Sequence, residues 1–116
     1  MKIERHETGA RMSQIVIHGD TVYLAGIVAR DNANKSVTDQ TKEILATIDK
    51  YLAQAGTDKT KILSTNIWLA DISTFAEMNA IWDAWVSPGN TPALATVEAK
   101  LATPAHKVEI MVVAAK

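Results

Sequence analysis

His106-Lys107-Val108-Glu109-Ile110-Met111-Val112-Val113-Ala114-Ala115 is the stretch that decides the fold. Successive side chains of a strand point to opposite faces. Val108, Ile110, Val112 and Ala114 therefore share one face, and Glu109, Met111, Val113 and Ala115 share the other. Both faces are apolar apart from Glu109, the pattern of a strand buried on both sides. Such a strand needs a layer above it and a layer below it.

Working outward, a loop with Pro104 joins this strand to another at about residues 93–101. Before that, Phe75, Met78, Trp82 and Trp85 recur at i, i+3, i+7 and i+10, which predicts a helix with one strongly apolar face. It starts near Ser73 or Thr74, where Thr74-x-x-Glu77 has capping-box spacing, and stops at Ser87-Pro88-Gly89-Asn90. Residues 61–70 read as a strand. A first helix is expected from about Thr38, as its cap, to Ala55, with Ile44, Leu45, Ile48, Tyr51 and Leu52 in its stripe and Gly56 as its stop. Residues 30–37 form a polar loop. Upstream, residues 13–18 and 21–28 read as a hairpin about Gly19-Asp20, and residues 2–6 as a short first strand.

The order is that of an α+β domain: one mixed sheet with two helices linking strands that they cross over. Right-handed crossovers put both helices on the same face. No third helix remains for the other face, so that face is expected to meet further copies of the chain.

With 116 residues the chain has the size of one domain, spanning 1–116. It has no cysteine, which excludes disulfides, thiolate metal sites and a cysteine nucleophile and fits a reducing, cytoplasmic setting. The opening residues lack the apolar core of a signal peptide, and no apolar run reaches the ~20 residues of a membrane helix. Net charge is −1, with the basic residues scattered, so there is no footprint for a nucleic-acid backbone. His6, His18 and His106 show no metal-ligand spacing, and no phosphate loop, dinucleotide fingerprint or nucleophile elbow is present.

Three residues stand out. Glu109 places a carboxylate on an apolar strand, a costly arrangement unless the group is paired or wet. It either pairs with a lysine such as Lys100 or Lys107, or serves a site. Asn79 lies beside the apolar stripe of the second helix, where a hydrogen bond that holds a turn is the simpler role. Gly26 interrupts a strand, which weakens it and marks a place where something approaches the backbone closely. Trp68, Trp82 and Trp85 read as core rather than as a base-stacking platform.

The C-terminal third, Thr91-Pro92-Ala93-Leu94-Ala95-Thr96-Val97-Glu98-Ala99 followed by residues 107–114, resembles the reactive-intermediate imine/enamine deaminase family, also called YjgF/YER057c/UK114. Val22-Tyr23-Leu24-Ala25-Gly26, Gln40-Thr41, Trp68-Leu69-Ala70-Asp71 and Phe75-Ala76-Glu77-Met78-Asn79 extend the resemblance over the whole chain, and Thr8-Gly9-Ala10-Arg11-Met12-Ser13 is similar to the start of a small subgroup. The resemblance implies a chorismate-mutase-like fold and a homotrimer with a central barrel and clefts between subunits. It also implies cofactor-free hydrolysis of imines and enamines of 2-amino acids to 2-keto acids and ammonia. Residue by residue, Glu109 matches the water-positioning glutamate, and Gly26 and Asn79 match cleft residues. Thr96 falls where members carry Cys or Thr. Leu94 stands where the carboxylate-binding arginine belongs, and Met12 where an aromatic belongs. Leucine offers a carboxylate nothing in place of the planar fork of arginine. Arg11, beside Met12, is a candidate substitute for the missing cation.

Three functions follow from the resemblance: a deaminase with a more apolar substrate preference, a trimer that binds a small molecule or partner without deaminating it, and a ribonuclease or translation inhibitor. The even charge disfavours the third. A chorismate mutase would want several arginines for its dianionic substrate, whereas the chain has three, none in the last two strands.

Overall fold

A computed structural model describes residues 1–116. The elements are β1 (Ile3–Thr8), β2 (Ser13–His18), β3 (Thr21–Leu24), β4 (Ile27–Val28), α1 (Val37–Gln54), β5 (Ile62–Leu69), α2 (Phe75–Trp85), β6 (Ala93–Glu98) and β7 (Val108–Ala115). They form one mixed sheet in the order β1-β2-β3-β7-β5-β6, with β4 also paired to β7. Only β5 and β6 run parallel; the other pairs are antiparallel. The β2–β3 hairpin turns on Gly19 at φ 62°, the positive angle that its first central position requires.

The last strand inserts between β3 and β5, so the stretch that decides the fold is also the centre of the sheet. Val108, Ile110, Val112 and Ala114 are buried among Ile44, Leu45, Ile48 and Leu52 of α1 and Met78 and Trp82 of α2. Each fully buried aliphatic side chain contributes about 1.5–3 kcal/mol. Glu109, Met111, Val113 and Ala115 are only half-buried in the single chain. Tyr23 beside Val113 is 46% exposed, and Val97 at the far edge is 48% exposed. One face of the sheet thus carries both helices, and the other is uncovered, with Tyr23, Met111, Val113 and Val97 set beside Asn66 and Ser64.

Several local expectations are corrected. Ser36, not Thr38, caps α1, its hydroxyl accepting from the Asp39 N–H at 3.1 Å. Thr74 forms no capping box, because its hydroxyl donates to the Asp71 carbonyl at 2.6 Å. Glu77 instead reaches across to α1 and accepts from the Thr38 N–H and hydroxyl, both at 2.9 Å. A carboxylate suits the positive end of α1 whichever helix supplies it. Phe75 is exposed rather than core, whereas Trp85 is fixed to α1 by a 2.8 Å bond from its indole N–H to Asp49.

Candidate functional site

The route from β3 to β4 contains a bulge. Tyr23 faces Val113, but Ile27 faces Ile110, so three residues, 24–26, stand opposite two, 111–112. An extra residue bends the strand and re-aims its neighbours, a device common beside sites. Here it brings Gly26 under the side chain of Glu109. A β-carbon built on Gly26 would collide with Oε2 of Glu109 and crowd its carboxyl carbon. Gly26 is not among the glycines with positive φ. It is required for space, not for backbone conformation, and the close neighbour that a glycine inside a strand implies is the Glu109 carboxylate.

Glu109 lies on the open face, opposite Trp68 on one side and Val28 on the other. Val97 continues that row on β6. The carboxylate meets neither Lys100 nor Lys107. It is half-exposed, and Trp68 and Val28 flank it across the sheet. A carboxylate in that setting can hold a water molecule and take a proton from it.

The outer edge of β4 has no strand partner, because β4 pairs with β7 alone. The last bond that ties this region to β2 runs from the Ala25 N–H to the Gln14 carbonyl at 2.9 Å. Beyond it a groove opens between β4 and α1, lined by Gln14, Gly26, Val28, Arg30, Lys50 and Tyr51 among others. Gln14, Arg30 and Tyr51 also line an adjoining cleft with Glu7 and Met12. Met12 and Gly26 are thereby joined along one continuous depression. Arg11 is exposed and lines neither part.

Two further residues hold this region in place, and neither chemistry was visible as such in the sequence. Glu43 of α1 accepts from the N–H groups of Arg30 at 2.6 Å, Asp31 at 3.3 Å and Asn32 at 2.8 Å, and from the Asn32 amide at 2.8 Å. Burial pushes its carboxyl up, but the donors from Arg30, Asn32 and Asp31 together outweigh burial and hold it below its ordinary value. Gln40 is fully buried. Its amide donates to the carbonyls of Lys35 and Ala105 and accepts from the Lys107 N–H at 2.9 Å, fixing the entry into β7 two residues before Glu109.

Residues 3–116 match the family model described as endoribonuclease L-PSP. The chain belongs to this family, the YjgF family. It is 45% identical to a RutC family protein of Haemophilus influenzae, over 98% of both chains. Its fold superposes on the crystal structure of a YjgF family member from Neisseria meningitidis with a TM-score of 0.96, at 42% identity over 100% of this chain and 96% of that one. A protein of Rattus norvegicus named 2-iminobutanoate/2-iminopropanoate deaminase is 29% identical over 88% of this chain and 77% of its own length.

Within one copy of this YjgF-family chain, the expected site residues fall into two groups. Gly26, Glu109 and, through the groove, Met12 are neighbours. Leu94 and Thr96 lie two strands away on β6, where Leu94 stands opposite Thr65 and Thr96 opposite Ile67. Thr65 and Ile67 pair in turn with Val112 and Ile110, so Leu94 and Thr96 belong to the helix-bearing face and Glu109 to the other. Leu94 is 44% exposed. Asn79 is half-buried on α2, also on the helix side.

Proposed function

We propose that this protein hydrolyses reactive imines and enamines of 2-amino acids to 2-keto acids and ammonia, in clefts between the subunits of a homotrimer. The observation that carries the reading is the Glu109 carboxylate on Gly26, half-exposed and without a cation partner inside the chain. The deaminase name borne by the rat relative supports the substrate class.

The open face of the sheet supplies the surface for assembly. Tyr23 and Val97 are exposed on it and Met111 and Val113 half-buried in the single chain, and covering them removes apolar surface from water. Assembly also supplies what one chain separates. The Leu94 edge of one copy, set against the Gly26–Met12 groove of the next, closes a cleft around Glu109.

In that cleft water held by Glu109 adds to the C=N carbon, and Glu109 takes the proton. Glu109 passes that proton to the nitrogen, giving the neutral amino alcohol; the hydroxyl proton then moves to the nitrogen by way of Glu109 as the C–N bond breaks, so ammonia leaves and the C=O forms. No electrons are transferred overall, so the chemistry calls for no redox partner.

A direct assay tests this. Freshly generated 2-iminopropanoate and 2-iminobutanoate should lose their imine absorbance faster with protein than in buffer, and Glu109→Ala should return the rate to that of buffer. A second reading, small-molecule binding without deamination, is favoured by Leu94, which presents no guanidinium. It takes over if the imine decays at the buffer rate while 2-oxobutanoate still binds.

A further inference from the structure

We infer that Arg30 supplies the carboxylate anchor that Leu94 lacks, making this a site for 2-imino and 2-oxo acids with a free carboxylate. The inference rests on the proposed reading for its substrate class, but its evidence is the placement of Arg30. Of the three arginines, Arg30 alone lines both parts of the depression that joins Gly26 to Met12.

Its backbone and its side chain have separate tasks. The Arg30 N–H is committed to Glu43 at 2.6 Å, which pins the residue where it leaves β4. The side chain is exposed, free to turn along the groove. Glu43 does not claim it, because that carboxylate already receives four N–H groups. Lys50 adds a second cation to the inner part, and Tyr51 a hydroxyl. Asp31 and Glu43 in the inner part and Glu7 in the outer part oppose them. The inferred placement sets the ligand carboxylate at Arg30, which lines both parts, and its C2 atom toward Gly26 in the inner part. Gly26 joins the two parts of the site: it lines the groove and lies directly under the Glu109 carboxylate.

The test is binding of 2-oxobutanoate by isothermal titration, alongside the imine assay. Arg30→Ala should weaken binding about ten-fold or more, the loss of roughly one partly solvated charge-assisted contact. Arg30→Lys should recover part of it, Arg11→Ala should change nothing, and Glu7→Gln should tighten binding by removing an opposing charge. In the imine assay Arg30→Ala should raise KM for the free acid and leave the methyl ester unaffected. If Arg30→Ala binds as wild type does, or if wild type does not bind the oxo acid at all, the inference is overturned. Arg30-dependent binding with no imine hydrolysis sustains the anchor and sinks the deaminase reading. Hydrolysis indifferent to Arg30 does the reverse. Far-ultraviolet circular dichroism of each variant separates a lost anchor from a lost fold.

Discussion

The carboxylate of Glu109 occupies the space that a side chain on Gly26 would need. The two residues are 83 positions apart, and the β3–β4 bulge is what stacks them. Gly26→Ala should therefore destabilise the fold by about 1–3 kcal/mol through overpacking. It should also displace Glu109 and abolish imine hydrolysis. In the Glu109→Ala background the same change should cost little. A double-mutant cycle by urea denaturation measures the coupling, and strictly additive effects would show that the contact carries no strain.

Gln40 bonds three backbone groups from full burial. Gln40→Leu keeps most of the volume and orphans all three. An unsatisfied buried group costs about 1–3 kcal/mol, so a large loss of stability is expected. Hydrogen exchange should localise it: the Lys107 amide, protected in the wild type, should exchange much faster in the variant.

Glu43 has its carboxyl held below its ordinary value by the donors of residues 30–32. A carboxyl lowered in the folded state adds stability that is present above its unfolded value, 4.5, and is lost as pH falls through the lower folded value. The stability difference between wild type and Glu43→Gln should accordingly be largest near neutral pH and shrink below about pH 4. A difference constant from pH 7 to pH 3 in chemical denaturation would rule this out.

In an Arg30→Ala background, Leu94→Arg should restore deaminase activity on imines that carry a free carboxylate. A guanidinium there gives bidentate bonds to the carboxylate and orients the C=N carbon before the water of Glu109. The gain should exceed that for the matching esters and vanish when Glu109→Ala is added. A double variant that assembles normally and remains at the rate of Arg30→Ala would show that position 94 does not reach the ligand carboxylate.

Val113 stands on the open face, half-buried in one chain. Val113→Glu should leave the monomer folded, since the side chain points away from both helices, yet prevent association. Light scattering should give three times 12.6 kDa for the wild type and about 12.6 kDa for the variant. A wild-type mass of one chain at micromolar concentration would remove the trimer from the proposal.

The α+β order, the faces of the strands and the apolar stripe of α1 were determined by the sequence alone. Alternation and helical spacing report burial, and burial is a property of each segment that a local pattern can carry. The same signal marked both faces of residues 108–115 as apolar and flagged Glu109 and Gly26 as out of keeping with their strands. Only the tertiary structure decided that those two residues touch, that β7 inserts between β3 and β5, and that Leu94 and Glu109 lie on opposite faces. These follow from the pairing register and from one bulge, which depend on partners far away in the chain. Polar side chains behave in the same way. Glu77 has the spacing of a cap for its own helix, yet it caps the other one. Glu43 and Arg30 read as ordinary charges until the fold closes a loop onto the first and opens a groove beside the second. A charged or amide group can bond any donor or acceptor brought near it, so its role is set by packing and not by its position in the sequence.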